Sequence, residues 1–317
     1  MRSCLVVCFF AMFGSALAQS YPEKPVSIVV PFPAGGSTDI VARTVAQRMS
    51  ETRSQPIVIF NRLGADGRIG TEFVVRAPAD GYTVLVGTTA LAIGPAVGAK
   101  TNYDALKDLA PVSQLVVTPN VLVVHPSMPA KSVRELIALA KARPGALNSA
   151  SGGTATSNHL ALVLFNSMAG VKIAHIPYKG AGPASTDTAG GHVDMTFSPI
   201  VAALQLVQAS RLRAIAVTTT ARATALPNVP TISESGLPGY EASSWVGMFV
   251  PAATPRAVVN KIHAAAVEGL RTPHVKNVLA KFSADPIGNT PDEFGKGFRQ
   301  EIVKWSKVTK ASGDKFD

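Results

Sequence analysis

The chain is poor in cysteine, and its two cysteines, Cys4 and Cys8, both lie near the N-terminus. A disulfide-stabilised domain needs cysteines spread along the chain, whereas a structural zinc site or a dithiol redox motif needs them in pairs at ligand spacing. Neither pattern is present in this sequence. These three classes of protein are therefore excluded.

Long apolar runs and blocks of like charge are also missing. After residues 4–13 no stretch approaches the roughly 18 apolar residues of a membrane-spanning helix. The formal net charge is +10, from 30 Lys+Arg against 20 Asp+Glu, but the basic residues are scattered along the chain. Because the sequence also lacks a recognition motif and an aromatic stacking platform, we expect no nucleic-acid partner.

The common catalytic and cofactor motifs are absent as well. The sequence contains no phosphate-binding GxxxxGK[ST], no GxSxG and no HExxH. Residues 180–185 approach a dinucleotide fingerprint, but the last position is Ser185 and no acidic residue follows about 20 residues later. The six histidines are isolated from one another. We therefore expect neither a cofactor nor a metal.

The N-terminus has the three parts of a secretory signal peptide. Arg2 gives a positive start, residues 4–13 (CLVVCFFAMF) are apolar, and Ala16-Leu17-Ala18 has the small-x-small form that a signal peptidase cleaves. The apolar run is too short to span a membrane. The sequence predicts a signal peptide over residues 1–18, cleavage after Ala18 and a periplasmic mature protein without cysteine.

Strand-like and helix-like patterns alternate along the mature chain, which predicts an α/β fold. Strands are expected at 26–32, 56–60, 83–87 and 244–250, and a helix over 38–51. Further helices are expected to start at Ser132, with Glu135 completing a capping box, and at Thr254-Pro255 and Thr290-Pro291. After residue 250 only helices are expected.

Three glycine-rich turns each follow a strand-like run and precede a helix-like one, at residues 32–39, 149–159 and 178–184. The first N–H groups of a helix have no partner within it, so such turns can hold a carboxylate. The alternative is that each is an ordinary, well-capped turn. Three such turns facing one cleft would favour anion binding.

Several side chains near these turns have two interpretations. For three of them a structural role is favoured over ligand contact: Asp39 as a cap of its own turn, His159 at a helix start and Asp194 at a strand start. Trp245 is interpreted as a core residue. The remaining three either contact a ligand or have ordinary surface and packing roles: Lys179, Phe32 and Tyr178.

Long segments of the chain resemble the solute-binding proteins of tripartite tricarboxylate transporters, the Bug or TctC family. The resemblance covers residues 21–310 in family order. It is carried by PFPAGGSTDIVAR (31–43), NRLGADGRIG (61–70), APADGYTVLVGTT (77–89), SGGTATSNHLA (151–161), IPYKGAGPA (176–184), GGHVDMTF (190–197) and LPNVPTISESGLPGYEASSWVGMFVPAATP (226–255).

The resemblance implies a two-lobed type II periplasmic binding-protein fold without enzymatic activity. Lobe 1 would comprise 19–121 and 243–317, and lobe 2 would comprise 122–242, with crossovers near 121–125 and 245–250. A small organic carboxylate would bind between the lobes and be delivered by a monomeric protein to the subunits of a membrane transporter.

The resemblance also implies which residues bind the ligand, position by position. They fall in the three glycine turns, in the loop after the third strand and in one further segment of the second lobe. They are Phe32, Ala34, Gly35, Gly36, Asp39, Thr88, Thr89, Ser151, Gly152, Thr154, Ser157, His159, Tyr178, Lys179, Gly180, Ala181, Asp194 and Ser198.

Two departures from the family pattern bear on the ligand. Residues 94–98 (GPAVG) form a smaller and less polar loop than usual, and Ser198-Pro199 replaces an often acidic or amide pair. Both favour a plain carboxylate, either a di- or tricarboxylate or an aromatic acid, over an amino acid. Two alternatives stay open: a binding protein that reports to a sensor kinase, and an exported enzyme that uses His159 with a neighbouring hydroxyl.

Overall fold

The computed structural model describes residues 21–53, 55–313 and 316. The predicted signal peptide and its cleavage site lie outside the described residues. The strands are β1 (Val26–Val30), β2 (Ile57–Asn61), β3 (Thr83–Thr88), β4 (Leu109–Thr118), β5 (Asn120–Val124), β6 (Asn148–Ser151), β7 (Ala174–Pro177), β8 (Met195–Pro199), β9 (Arg213–Val217), β10 (Ser244–Pro251) and β11 (Asp285–Pro286).

Helices flank these strands throughout the described part of the chain. They are α1 (Ser37–Arg53), α2 (Arg68–Val75), α3 (Ala90–Ala96), α4 (Ala105–Asp108), α5 (Val133–Ala142), α6 (Ser157–Ala169), α7 (Ala181–Ala189), α8 (Ile200–Gln208), α9 (Arg256–Arg271), α10 (Pro273–Lys281) and α11 (Pro291–Ser312). None of these helices is long and apolar enough to cross a membrane.

The strands form two mixed sheets. The first has the order β11-β4-β10-β3-β1-β2 and the second the order β7-β6-β8-β5-β9. In the first sheet β1 is parallel to β2 and β3, and its run VSIVV is almost entirely buried. Strand β2 lies at the edge and alternates between half-buried and exposed residues. These patterns are those expected of a covered interior strand and of a half-solvated edge strand.

The predicted crossovers between the lobes are misplaced. Residues 120–124 form β5, which pairs with β8 and β9, and residues 244–251 form β10, which pairs with β3 and β4. Both are interior strands, since each has a partner strand on either side. Their apolar residues are buried on both faces of the sheet. The chain leaves the first sheet at Pro119 and returns between Val217 and Ser244.

The predicted helix start at Thr290-Pro291 is confirmed, whereas the capping box predicted at Ser132 forms only in part. The capping box at Thr290 is complete, with reciprocal hydrogen bonds to Glu293. At α5 Ser132 accepts from the N–H of Glu135, but the Glu135 carboxylate accepts from the N–H of Lys131 instead of that of Ser132. Only half of that box forms.

Two predictions near the C-terminus are wrong. Thr254 does not cap α9, since Pro255 occupies the cap position and the Thr254 hydroxyl donates to the Pro251 carbonyl at 2.7 Å. The two-residue strand β11 pairs with β4 where only helices were expected. So short a strand is defined by its partner, and it leaves no periodic signal in the sequence.

The C-terminal helix α11 packs against α3 and against α6. It buries Trp305 in the larger hydrophobic cluster, and the Thr309 hydroxyl donates to the Ala96 carbonyl of α3 at 2.9 Å. Since α3 follows a strand of the first sheet and α6 follows a strand of the second, α11 connects the two halves of the molecule.

Candidate functional site

A cavity of about 780 Å³ lies where helix starts from the two sheets meet. From the first sheet come Ser37 and Thr38 of α1, and from the second come Ser157 of α6 and Ile200 of α8. The sheet-to-sheet connection at 118–120 and the start of β10 at 244–246 also line it. Its volume lies within the range of small-molecule sites.

The first glycine turn is held by Asp39, and this side chain is closed to a ligand. Its carboxylate accepts from the N–H of Gly35 at 2.9 Å, from Arg43 at 2.8 Å and from Asn61 at 2.8 Å, and it is 1% exposed. Gly35 itself has φ 79°, which favours glycine. Burial would raise the pKa of Asp39, but the hydrogen bonds from Arg43 and Asn61 hold it below its usual value. Asp39 thus caps its own turn, which is the role that the sequence favoured over contact with a ligand.

The second glycine turn presents Thr154 and Ser157 to the cavity. Behind them the Ser151 hydroxyl, 1% exposed, accepts from the N–H of Gly153 and lies 2.6 Å from His175 Nε2. Thr156 caps α6 by accepting from the N–H of His159. Some hydroxyls of this loop therefore line the cavity, and those of Ser151 and Thr156 accept from backbone N–H groups and hold the loop in shape.

His159 belongs to that support. It is 3% exposed, its Nδ1 accepts from the N–H of Ala155 at 3.1 Å, and its ring stacks on His175 with centroids 3.6 Å apart. Burial, together with the neighbouring His175, lowers the pKa of His159 to about 4. The imidazole is therefore neutral near pH 7 with its proton on Nε2.

The third glycine turn does not reach the cavity wall. The Tyr178 hydroxyl donates to Asp187 at 2.9 Å, Lys179 is exposed, and Gly180 and Ala181 begin α7 outside the cavity. Burial, followed by the hydrogen bond to Asp187, raises the pKa of Tyr178.

Asp194 and Ser198, the last two predicted site residues, do not line the cavity either. Asp194 lies at the far end of β8 from the cavity and accepts from the N–H of Asn148 at 2.8 Å. Ser198 is 1% exposed and shares a hydrogen bond of 2.8 Å with Ser185.

Of the predicted site residues the described structure therefore places five on the cavity wall: Phe32, Thr88, Thr89, Thr154 and Ser157. The others do not line it: Ala34, Gly35, Gly36, Asp39, Ser151, Gly152, His159, Tyr178, Lys179, Gly180, Ala181, Asp194 and Ser198. Residues 94–98 were expected to form a loop, but residues 94–96 are the end of α3.

Arg68 was not identified as a site residue from the sequence. Among the side chains that the structure describes, it is the one charged group lining the cavity. Its Nε donates to the Ala65 carbonyl at 2.8 Å and its Nη1 to the Lys100 carbonyl at 3.3 Å. The available signal was its position in the motif NRLGADGRIG, directly after Gly67, whose φ is 90°.

A second cavity of about 380 Å³ adjoins the first. The two share Phe32, Arg68 and Thr88 in their walls, so Arg68 lies where they meet. The second cavity is otherwise lined within the first-sheet half, by Leu91, Tyr103, Asp104 and Ile302 among others.

Trp245, interpreted from the sequence as core, is 5% exposed and also contributes to the cavity wall. Its ring packs edge-on against Phe294 and Phe298. Its indole N–H donates to Glu301, which also accepts from the Trp305 indole at 3.1 Å. Burial raises the pKa of Glu301 to about 7.

The described residues contain no group of three or more His, Cys, Asp or Glu side chains close enough to hold a metal ion. The polar lining of the larger cavity consists instead of hydroxyls, one side-chain amide and one guanidinium: Ser37, Thr38, Thr88, Thr89, Thr118, Thr154, Thr156, Ser157, Ser244, Ser283, Asn120 and Arg68. Such donors suit an organic anion.

Comparison with known proteins identifies the family to which this fold and sequence correspond. The model of the tripartite tricarboxylate transporter receptor family, TctC, matches residues 41–313. The chain belongs to this family. BugT of Bordetella pertussis is 37% identical over 312 residues, which cover 97% of this chain and 96% of BugT.

Solved structures of relatives agree with the fold. An R. palustris protein, Rpa4515, solved with adipate, is 37% identical, with 92% of this chain and 98% of that one covered and a TM-score of 0.75. The periplasmic binding protein BugD is 32% identical, with 92% and 99% covered and a TM-score of 0.73. The chain has the two-sheet periplasmic binding-protein fold of this family, as its sequence indicated.

Proposed function

We propose that the protein is a periplasmic solute-binding protein that captures a small organic carboxylate and delivers it to a tripartite tricarboxylate-type membrane transporter. The observation that carries the proposal is one cavity lined by the starts of α1, α6 and α8, together with the Arg68 guanidinium. A carboxylate there meets the positive ends of helices from both sheets.

The donors are sufficient for useful affinity. A hydrogen bond to a charged group contributes about 1.5–3 kcal/mol. Three or four such bonds, less the cost of ordering ligand and side chains, support binding near micromolar, about −8 kcal/mol. Specificity in this arrangement comes from uncharged helix starts and one cation, whereas the scattered net charge contributes little.

Closure of two lobes around the ligand is part of the proposal. The lobes would be those expected from the sequence, 19–121 with 243–317 and 122–242, but with the first boundary moved to Pro119, because all of β5 lies in the second sheet. They would be joined by Pro119 and by the segment between Val217 and Ser244. The protein would act as a monomer after removal of residues 1–18. Adipate in the related Rpa4515 structure supports a carboxylate ligand.

Bond chemistry is not part of the proposal. The His159 imidazole is buried, stacked and occupied at Nδ1, and the Ser151 hydroxyl that hydrogen-bonds His175 is 1% exposed. A nucleophile must contact its substrate. Neither group lines the cavity, and the solute-binding family supports binding without turnover.

Isothermal titration and thermal shift of residues 19–317 with a panel of mono-, di- and tricarboxylates test the proposal. In Ser157→Asp a negative charge enters the cavity at the start of α6, so we expect at least tenfold weaker carboxylate binding, about 1.4 kcal/mol. The fold tolerates the change because an acidic residue suits a helix N-terminus.

Ser132→Asp is the matched control, since it adds the same charge at the start of α5, outside the cavity. It should leave the affinity unchanged. If no carboxylate of the panel raises the melting temperature or gives heat of binding, the proposed function is wrong. An equal loss of carboxylate affinity in both variants would show that the start of α6 is not part of the binding site.

A further inference from the structure

We propose that Arg68 makes the site selective for organic acids with a single carboxylate on an apolar ring or chain. This inference rests on the proposed function, since it names the class of carboxylate that the same cavity takes. It goes beyond that function because it predicts discrimination against a second carboxylate on the same carbon skeleton.

The Arg68 guanidinium is oriented by backbone and has a free edge. A guanidinium has five N–H donors. The carbonyls of Ala65 and Lys100 accept one from Nε and one from Nη1, which leaves Nη2 and the other Nη1 hydrogen without an acceptor among the described residues. Of the described side chains, no carboxylate lies within ion-pair distance of it. Two parallel N–H groups are the arrangement that binds one carboxylate through both oxygens.

The position of Arg68 also points to a ligand. It is the first residue of α2, where a cation faces the positive end of the helix dipole. Its half-buried side chain projects into the wall of both cavities. An anion bound to its free edge offsets both the dipole and the charge.

A second carboxylate would find no second cation. Arg68 is the one charged side chain of the larger cavity among those described, and the smaller cavity adds only Asp104, which repels an anion. A second carboxylate would have only hydroxyls and helix starts as partners, and these carry partial charges, so the loss of its hydration is offset less than that of the carboxylate at Arg68. The charges thus complement one negative group.

The rest of the wall complements an apolar body. Four aromatic side chains line the larger cavity, and aliphatic side chains fill much of the space between them. The aromatic residues are Phe32, Trp245, Phe282 and Phe316, and the aliphatic ones include Val41, Ile93, Val97, Ile200 and Val201. Burying a ring or alkyl chain there contributes in proportion to its area.

The test uses matched acids that differ by one carboxylate. Isothermal titration of residues 19–317 compares hexanoate with adipate and benzoate with terephthalate at equal ionic strength. We expect hexanoate and benzoate to bind at least tenfold more tightly than their diacid partners. Hexanamide, which has the same chain without the charge, should bind more weakly than hexanoate.

Variants then assign the selectivity to Arg68. Arg68→Gln should weaken hexanoate by about 10- to 100-fold, the effect of losing hydrogen bonds from a charged group, and should bring hexanoate and hexanamide to similar affinity. Arg68→Lys should recover part of the loss because it keeps the charge without the paired donors. Arg62→Gln is the control, since Arg62 lies over the Phe73 ring outside both cavities.

The outcomes separate the two proposals. Diacids that bind more tightly than their monoacid partners would overturn the selectivity proposal while the proposed function stands. The same holds if Arg68→Gln retains the acid-over-amide preference. If neither the monoacids nor the diacids bind the wild-type protein, the proposed function itself fails. Retained melting temperature in the variants shows that an altered affinity is not caused by unfolding.

Discussion

At the scale of single residues, burial changes the ionisation of two groups near the cavity in opposite ways. His159 is kept neutral, with its pKa lowered to about 4, whereas the pKa of Glu301 is raised to about 7. Both accept a hydrogen bond from a residue of the cavity wall, His159 from the N–H of Ala155 and Glu301 from the indole N–H of Trp245. Their role is therefore to hold the wall in place.

The buried His159 predicts loss of stability on acidification. Its folded pKa lies below the unfolded value of about 6.5, so its contribution is complete above pH 6.5 and is lost as the pH falls towards 4. The loss should amount to roughly 2–3 kcal/mol. Urea unfolding between pH 4 and 7.5 measures it.

His159→Asn is the comparison variant, since its amide oxygen can accept from Ala155 but does not titrate. Its stability should depend less on pH between 6.5 and 4 than that of the wild type. Parallel pH profiles in the two proteins would contradict the lowered pKa.

At the scale of elements, caps decide where helices begin. Thr290 and Glu293 exchange hydrogen bonds in a complete box, and Pro291 follows at the first helical position. Local sequence was enough to predict this start, because cap, carboxylate and proline are adjacent. It was not enough at Thr254, whose hydroxyl bonds to a preceding carbonyl.

Thr290→Ala should destabilise the protein by about 1 kcal/mol, because the N–H of Glu293 loses its acceptor. Thr290→Ser keeps the hydroxyl and should retain most of the stability. The free energy of unfolding in urea distinguishes them. An alanine variant as stable as the wild type would show that α11 is fixed by its packing and not by its cap.

At the scale of the whole molecule, the two sheets are joined by Pro119, by the segment from Val217 to Ser244 and by α11. Lys304 of α11 lies 2.5 Å from Glu241 in that segment, and the Tyr240 hydroxyl donates to the Ala161 carbonyl of α6. In the proposed closure the lobes would pivot at the two connections, with the Lys304–Glu241 ion pair between them and the Tyr240 contact holding the returning segment on lobe 2. Such a movement is a hinge motion.

Ligand-induced closure should reduce the radius of gyration. Small-angle X-ray scattering of residues 19–317, with and without a saturating carboxylate that raises the melting temperature, measures the change. The Ser132→Asp control should show the same decrease. An unchanged radius with bound ligand would contradict closure and would favour a rigid site.

Much of the fold could be predicted from the sequence because its signals are local. Val26–Val30 is a β-branched run, and α1 follows a glycine turn with Asp39 at its start. The crossovers were misplaced because a continuous apolar run identifies an interior strand without saying in which sheet it lies. Strand β11 has no local signal, since only its pairing with β4 defines it.

The candidate site was predicted in part for the same reason. Thr154 and Ser157 sit in a glycine-rich helix start, which is visible in the sequence. The side chain of Arg68 was missed because a single arginine at a helix start says nothing about the wall that it faces. Tyr178 and Lys179 share the turn pattern but point to other partners or to solvent.

By itself the sequence determined the local chemistry of this protein: alternating strands and helices, the glycine turns and the absence of cysteine after residue 8. The tertiary structure alone decided which turns share a cavity, which hydroxyls face it and that Arg68 lies where two cavities meet. The physical reason is the distance along the chain over which each kind of interaction acts. Backbone propensity and capping act within a few residues, whereas a binding site is made by side chains that only sheet order and packing bring together.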